Sequence, residues 1–185
     1  MKPPLKQGMS NDFQTPPEAL EPLLPYLKKE WWIWECASGN GNLASALRGI
    51  GYKVTESDIL LPIEKLPIEN SRLQADFIKC EIQPEFIFDC IITNPPFSLK
   101  QEFLERCYLL GKPFALLLPL TTFETKKRQE LFKKYGLEVI FFDKRINFET
   151  PNKVKNSNSW FATAWFTWGL KIGKEMTFEK LPTKF

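Results

Sequence analysis

Histidine is absent from all 185 residues. That absence excludes Ser-His-Asp and Cys-His nucleophilic catalysis, imidazole acid–base chemistry and any His-ligated zinc. The four cysteines, Cys36, Cys80, Cys90 and Cys107, form no C-x-x-C pair. A zinc ribbon and a thioredoxin-type redox motif are therefore excluded as well, and no metal is expected. Three of the four lie in apolar or motif-bearing stretches, where reduced, buried thiols are the expectation. No uninterrupted apolar run approaches the ~20 residues needed to span a bilayer. The first ten residues are polar and bear Lys and Pro, unlike a signal peptide. These absences lead us to expect a soluble cytoplasmic protein with no membrane partner.

Acidic charge is scarce in one half of the chain and basic charge in the other. The net charge is only +3, but residues 12–96 hold 7 Lys/Arg against 13 Asp/Glu, and residues 97–185 hold 16 against 9. The basic excess peaks between Lys126 and Lys155, with Lys126-Lys127-Arg128, Lys133-Lys134, Lys144-Arg145, Lys153 and Lys155. One such run is ordinarily a solvated face, but several in one half point to a polyanionic partner. Apolar residues make up 43%, enough for a sizeable core, and the length suits a single domain.

Hydrophobic spacing predicts alternating strands and helices. A short helix follows Pro16-Pro17 with Thr15 as its N-cap. Trp31–Trp34 reads as a strand, Asn42–Arg48 as a helix, Tyr52–Thr55 as a strand and Arg72–Phe77 as a third strand. Phe86–Thr93 is a continuous apolar run, as in a strand buried on both faces. Then come a helix over Leu99–Leu110, strand Phe114–Pro119, helix Glu124–Tyr135 and strand Leu137–Phe142. The final strand is Trp160–Trp168, joined by a polar loop over 143–159 and free to return antiparallel. This alternation is the signature of a doubly wound α/β sheet. The six tryptophans fall almost entirely in these strands and are expected in the core, except Trp160 beside the basic loop.

Four segments at strand ends carry chemistry, where such sheets bind ligands. Glu35-Cys-Ala37-Ser-Gly39-Asn-Gly41 is a glycine turn that lets a ligand approach bare backbone. It lacks the spacing of dinucleotide and P-loop motifs. Glu35 would repel phosphate and suits a cationic or hydroxyl-bearing ligand. Glu56-Ser-Asp58-Ile59 ends the second strand, the usual place for an acid that takes ribose hydroxyls; Glu56 and Asp58 are both open for that role. In Asp76-Phe77 an acid can accept from an adenine amino group while the aromatic flanks the ring. In Asn94-Pro95-Pro96-Phe97, two prolines stiffen the backbone and bring no amide protons. Asn94 Oδ1 and the Pro95 carbonyl can face one point as paired acceptors, with Phe97 as a flat face beside them. Two acceptors and an aromatic plate suit a planar amino group.

Asn94-Pro95-Pro96-Phe97, with the preceding loop and acids, resembles the Asn/Asp-Pro-Pro-Tyr/Phe motif of S-adenosylmethionine-dependent amino-methyltransferases. The resemblance is nearest to adenine-N6 DNA methyltransferases of the small phage and prophage type. Phe13-Gln14-Thr15-Pro16-Pro17 is similar to the Thr-Pro segment that precedes the cofactor loop in that group. Residues 35–41 match the loop, with Cys36 where proline is common. Leu118–Glu124 with Arg128, Lys144-Arg145-Ile-Asn-Phe148 and Ser159-Trp160-Phe161 extend the likeness over roughly residues 12–170.

The resemblance implies a Rossmann-like class I methyltransferase fold, a seven-stranded, mostly parallel sheet whose last strand is antiparallel. It implies a flexible arm over 1–12, one domain over 13–170, an extension over 171–185, and no separate target-recognition domain. S-adenosylmethionine, leaving as S-adenosylhomocysteine, would be held by Thr15, Pro16, Glu35, Ala37, Gly39, Gly41, Asp58, Ile59, Asp76 and Phe77. The catalytic residues would be Asn94, Pro95, Pro96 and Phe97, acting on a flipped-out adenine of DNA. Lys144, Arg145, Lys153 and Lys155 would contact phosphates. RNA or a protein glutamine are the alternative acceptors, and a vestigial binding module or a Trp-rich structural protein the alternative roles. Specificity would come from short loops, a partner subunit or a homodimer, in a bacterial or phage-infected cytoplasm.

Overall fold

A computed structural model describes residues 14–60, 72–148 and 161–182. Eight strands form one sheet: β1 (Trp32–Glu35), β2 (Lys53–Asp58), β3 (Arg72–Gln74), β4 (Cys90–Thr93), β5 (Phe114–Pro119), β6 (Glu138–Phe142), β7 (Thr163–Trp168) and β8 (Met176–Glu179). Their order is β3-β2-β1-β4-β5-β7-β6-β8. The chain moves outward from β1 to β3, then returns to place β4 on the other side of β1. Strand order therefore reverses at β1/β4, and open α/β sheets form their ligand crevice outside the carboxyl ends at such a reversal. Neighbours from β3 to β5 are parallel, β7 is antiparallel to β5 and β6, and β8 is parallel to β6.

Among the described residues, three α-helices cover the sheet: α1 (Asn42–Gly49), α2 (Lys100–Leu110) and α3 (Lys126–Tyr135). On one face, α1 and the 3-10 segment Pro17–Tyr26 pack Leu20, Leu23, Leu43 and Leu47 against Ile33, Val54, Ile92 and Trp165. On the other, α2 places Phe103, Leu104 and Cys107 against Trp34, Ile91, Leu116 and Phe166. Buried indoles find acceptors, as their N–H requires: Trp34 Nε1 donates to Ser57 Oγ at 2.8 Å and Trp165 Nε1 to the Ala19 carbonyl at 2.7 Å. Both are core residues, as expected. No described helix is long and apolar enough to cross a membrane.

Several local expectations need correction. The sheet has eight strands rather than seven, because segment 171–185, expected to be an extension, contributes β8 and buries Leu181. The antiparallel strand is thus followed by one more. The segment after Pro16 is a 3-10 helix and is capped by Pro16, not Thr15. Pro22 and Pro25 lie inside it and cannot donate to an α-helical ladder. Only Cys90–Thr93 of the Phe86–Thr93 run is strand. Phe86 N–H donates to the Gln83 carbonyl at 2.9 Å in a turn, and the rings of Phe86 and Phe88 wrap the edge of Trp34. That apolar run records packing around one indole rather than ladder pairing.

Candidate functional site

Four strand ends converge on the crevice. Beyond β1 the chain turns through Cys36–Gly41 into α1. Ser38 N–H donates to the Ser57 carbonyl at 3.1 Å and Gly41 N–H to the Ser38 carbonyl at 2.8 Å. Gly41 adopts φ +79°, and a Cβ there would lie 2.8 Å from Glu56 Oε2. Only glycine fits both constraints. Gln14 Oε1 accepts from Asn40 N–H at 3.3 Å, which lays the segment carrying Thr15 and Pro16 onto this turn; both residues are buried. Phe13 lies outside the described residues.

Glu35 ends β1 and is only 2% exposed. One backbone N–H from the first turn of α1, that of Ala44, hydrogen-bonds to its carboxylate. Its Oε2 is buried with no hydrogen-bond partner among the described residues. Burial, then the charge of Glu56, hold its carboxyl well above the usual carboxylate range, with Arg48 acting in the opposite direction. An orphaned carboxylate oxygen beside a glycine-lined turn is an arrangement that a bound cation would complete.

The two candidate acids of β2 separate clearly. Glu56 is buried and tied to Arg48 through Oε1, while Arg72 Nε lies 3.3 Å from Oε2 as an ion contact. Asp58 instead reaches the crevice, half-buried. Its Oδ2 accepts from Gly39 N–H and its Oδ1 from Leu60 N–H, each at 3.0 Å. The neighbouring Ile59 side chain is 59% exposed, an apolar surface at the crevice rim.

Asp76 and Phe77 lie beyond β3 rather than within it. Asp76 Oδ1 accepts from Ile78 N–H at 3.0 Å, building a turn, and Lys79 Nζ sits 3.3 Å from Oδ2. Phe77 is 2% exposed: its ring stacks on Phe103 at 4.8 Å and meets Trp34 edge-on at 5.1 Å. Expected as a plate flanking a ligand, Phe77 is instead a core residue beneath Asp76.

Asn94, Pro95, Pro96 and Phe97 leave β4 next to β1. Pro95 and the Asn94 Oδ1 atom are buried, and Thr93 Oγ1 just before them is buried without a hydrogen-bond partner among the described residues. A 3-10 turn over Phe97–Leu99 follows, in which Leu99 N–H donates to the Pro96 carbonyl at 2.9 Å. Lys100 Nζ donates to the Phe97 carbonyl at 2.9 Å. The Phe97 ring, half-buried, meets Phe161 at 5.4 Å and Phe148 at 6.4 Å.

The basic residues divide. Strand β6 runs in the same direction as β5, so the turn 143–148 emerges at the crevice edge. Lys144 and Arg145 are exposed there, and Lys144 Nζ also donates to the Pro182 carbonyl at 3.0 Å. Lys153, Lys155 and Trp160 lie outside the described residues. Arg128, counted among the surface charges in the sequence, is buried: Nε donates to the Thr122 carbonyl at 2.6 Å and holds the turn after β5. Lys126 and Lys127 pair with Glu130 and Glu105. Burial pushes the thiols of Cys36, Cys90 and Cys107 up, so none is poised as a nucleophile. No group of three or more Cys, Asp or Glu that could hold a metal occurs among the described residues. Sequence reading missed Lys100, Arg48 and Arg72. Each acts on a partner that only folding brings near, apart from Lys100, whose place three residues after Phe97 was the available signal.

No family model and no curated protein matches the chain. Solved structures do. The chain overlays a SAM-dependent methyltransferase from Archaeoglobus fulgidus with a TM-score of 0.51 at 14% identity, covering 82% of this chain and 91% of that one. The tRNA (m1A58) methyltransferase TrmI of Aquifex aeolicus gives 0.52 at 20% identity, covering 90% and 75%. The fold is that of the SAM-dependent methyltransferases. A protein assigned as the modification subunit of a putative type I restriction enzyme from Vibrio vulnificus YJ016 gives 0.56 at 12% identity, covering 96% of this chain. The chain spans about half of that subunit, 48%.

Proposed function

We propose that this protein transfers a methyl group from S-adenosylmethionine to the N6 amino group of adenine in DNA. The observation that carries this reading is the placement of Asn94-Pro95-Pro96-Phe97 at the β4 end of the crevice, on the strand next to the one that ends in Glu35, a buried carboxyl with one unmet oxygen. The residues present fit S-adenosylmethionine. Glu35 offers an unmet acceptor to a cationic group, Gly39 and Gly41 offer close backbone approach, and Asp58 stands at the end of β2 for ribose hydroxyls. Glu56 does not suit that task, because Arg48 and Arg72 already neutralise it. Thr15, Pro16, Ala37, Ile59 and Asp76 complete the surroundings.

When bound, S-adenosylmethionine supplies an electrophilic methyl whose C–S electron pair stays with sulfur, while the acceptor nitrogen forms the new bond and gives a proton to water. The chain's own part is to prepare the acceptor. An adenine N6 lone pair is delocalised into the ring, which makes it a poor nucleophile. Asn94 Oδ1 and the Pro95 carbonyl accept its two hydrogens and favour a pyramidal, more reactive nitrogen. Pro95 and Pro96 have no N–H groups to compete for those acceptors. Phe97 offers a face to the ring, offsetting part of the few kcal/mol that flipping the base costs. This is catalysis by positioning and electrostatics, so the absence of histidine is no obstacle. The exposed Lys144 and Arg145 on the same edge suit a phosphate backbone.

The test is transfer of labelled methyl to DNA and RNA in parallel, followed by digestion of the product. N6-methyladenine from DNA, lost in Asn94→Ala, is the expected result. Label in RNA alone, or in another base, overturns the assignment.

A further inference from the structure

Phe97 is gripped from two directions by residues that the proposed chemistry does not use. Its backbone carbonyl accepts from Lys100 Nζ at 2.9 Å. Its ring meets Phe161 with interplanar angle 89° and Phe148 with 76°, both edge-to-face arrangements. Phe148 and Phe161 stack on one another at 6.0 Å and 23°. The three centroids thus form a nearly equilateral triangle with sides of 5.4, 6.0 and 6.4 Å. Two edge-to-face neighbours from separate elements restrict the turning of the Phe97 ring.

The three rings come from separate elements: the turn after β4, the end of the turn after β6, and the approach to β7. None of the contacts between Phe97 and the other two is local in sequence, so the triangle exists only in the finished fold. Phe148 is 8% exposed although it closes a turn of otherwise mostly exposed residues, Asp143 to Asn147. Phe97 itself sits on a 3-10 turn of three residues, a short element with little rigidity of its own. A plate that receives a planar ring needs a fixed tilt, since a stacked contact weakens when the faces are not parallel. The partners supply what the turn lacks. The half-buried Lys100 ammonium loses hydration at this position, and burial, then the neighbouring Arg128, lower its proton affinity, with Glu102 and Glu124 facing it in compensation. Its bond to the Phe97 carbonyl replaces part of the hydration it gives up.

We propose that Phe148 and Phe161 are positioning residues that set the plane of the Phe97 ring for an incoming planar base, with Lys100 fixing the backbone beneath it. The proposal rests on the reading of residues 94–97 as a base-binding motif. It makes the turn 143–148 serve two ends at once: Lys144 and Arg145 present charge at its start, and Phe148 braces the plate at its finish.

The experiment compares wild type with Phe148→Leu, Phe161→Leu, the double variant and the conservative Phe161→Tyr. Ring-labelled phenylalanine NMR of the substrate-free protein reads the Phe97 ring directly. In wild type its flips should be slow, and in the leucine variants fast. With DNA carrying 2-aminopurine at the target base, the double variant should show altered stacking fluorescence. It should lose about tenfold or more in kcat, the worth of two aromatic pairs, while S-adenosylmethionine affinity stays within about twofold. Phe161→Tyr should restore both ring order and kcat. Unchanged Phe97 ring dynamics overturn the proposal, as does a kcat loss matched by an equal loss of cofactor affinity. Wild type that methylates no nucleic acid overturns the reading of the motif instead, and the NMR result on Phe97 still decides the positioning role.

Discussion

The two halves of the sheet's carboxyl edge handle charge in opposite ways. On the β3-β2-β1 side, Glu35, Glu56, Asp58 and Asp76 gather at the crevice, and two of them are buried. One of that pair, Glu56, is neutralised by arginines, while the other keeps an unmet oxygen. On the β4-β5-β7-β6 side the cations predominate, and they do two kinds of work. Lys100 and Arg128 turn inward to clamp the carbonyls of Phe97 and Thr122, while Lys144 and Arg145 stay at the surface. The uneven distribution of charge along the chain is thus folded onto one edge. Acid stands where a cationic cofactor suits it, and base where a polyanion does. The difference teaches that a net charge near zero can hide an uneven distribution of acids and bases along one edge.

The largest expected effect comes from removing the acceptor on the substrate side. Asn94→Ala should cut kcat by about 100-fold or more, the scale for deleting one preorganised polar group, while leaving S-adenosylmethionine affinity nearly unchanged by calorimetry. Equal losses in both quantities would blur the division between the halves. Next comes the cofactor side. Gly41→Ala forces a Cβ to within 2.8 Å of Glu56 Oε2 at positive φ. Cofactor affinity should fall by at least about tenfold, with a lower Tm in the same preparation.

Glu35 sharpens the comparison through pH. Its folded-state carboxyl is raised by burial and by Glu56, so the proton is held above the usual carboxylate range. A cationic ligand favours the ionised form, and affinity for S-adenosylmethionine should therefore rise with pH as Glu35 loses its proton. Stability of the ligand-free protein runs the other way. A raised folded-state value gives a contribution fully present below the unfolded value and lost as pH rises through the folded one. Glu35→Gln should flatten both dependences, measured by calorimetry and by thermal unfolding across pH. The smallest effect is expected from the surface pair. Lys144→Gln with Arg145→Gln should lower the slope of log affinity for DNA against log salt by about 0.9 for each phosphate no longer neutralised, without changing kcat at saturating DNA.

The placement of most of these residues was legible before folding because they lie at strand ends, where sequence marks both the element and its termination. The β1 loop and the Asn-Pro-Pro-Phe turn follow apolar runs closed by Gly or Pro, while Asp58 closes the largely polar strand Lys53–Asp58. The different surroundings of Glu56 and Asp58 were not legible, since they depend on Arg48 and Arg72 arriving from α1 and β3. Phe77 misled for a related reason. Its place after Asp76 suggests a ligand platform, but Trp34 and Phe103 claim the ring, and neither is near it in sequence. The strand over 86–93 was over-read because an aromatic run around a tryptophan looks like a buried ladder. Strand β8 was missed because its alternation leaves Met176 and Phe178 exposed, with Phe178 resting on Phe141 at 5.2 Å.

The indole of Trp165 has a consequence for how the protein is made. Its hydrogen bond to the Ala19 carbonyl joins residues 146 positions apart. The segment running from Gln14 to Ala19 gains this bond only after β7 has left the ribosome and paired with β5. Because Gln14 also braces the turn at Asn40, the same segment links that late strand to the loop after β1. Ribosome-bound chains stalled before Thr163 should not retain S-adenosylmethionine, and chains stalled after β8 has emerged should. An unfinished chain would then be unable to modify anything it met on the way.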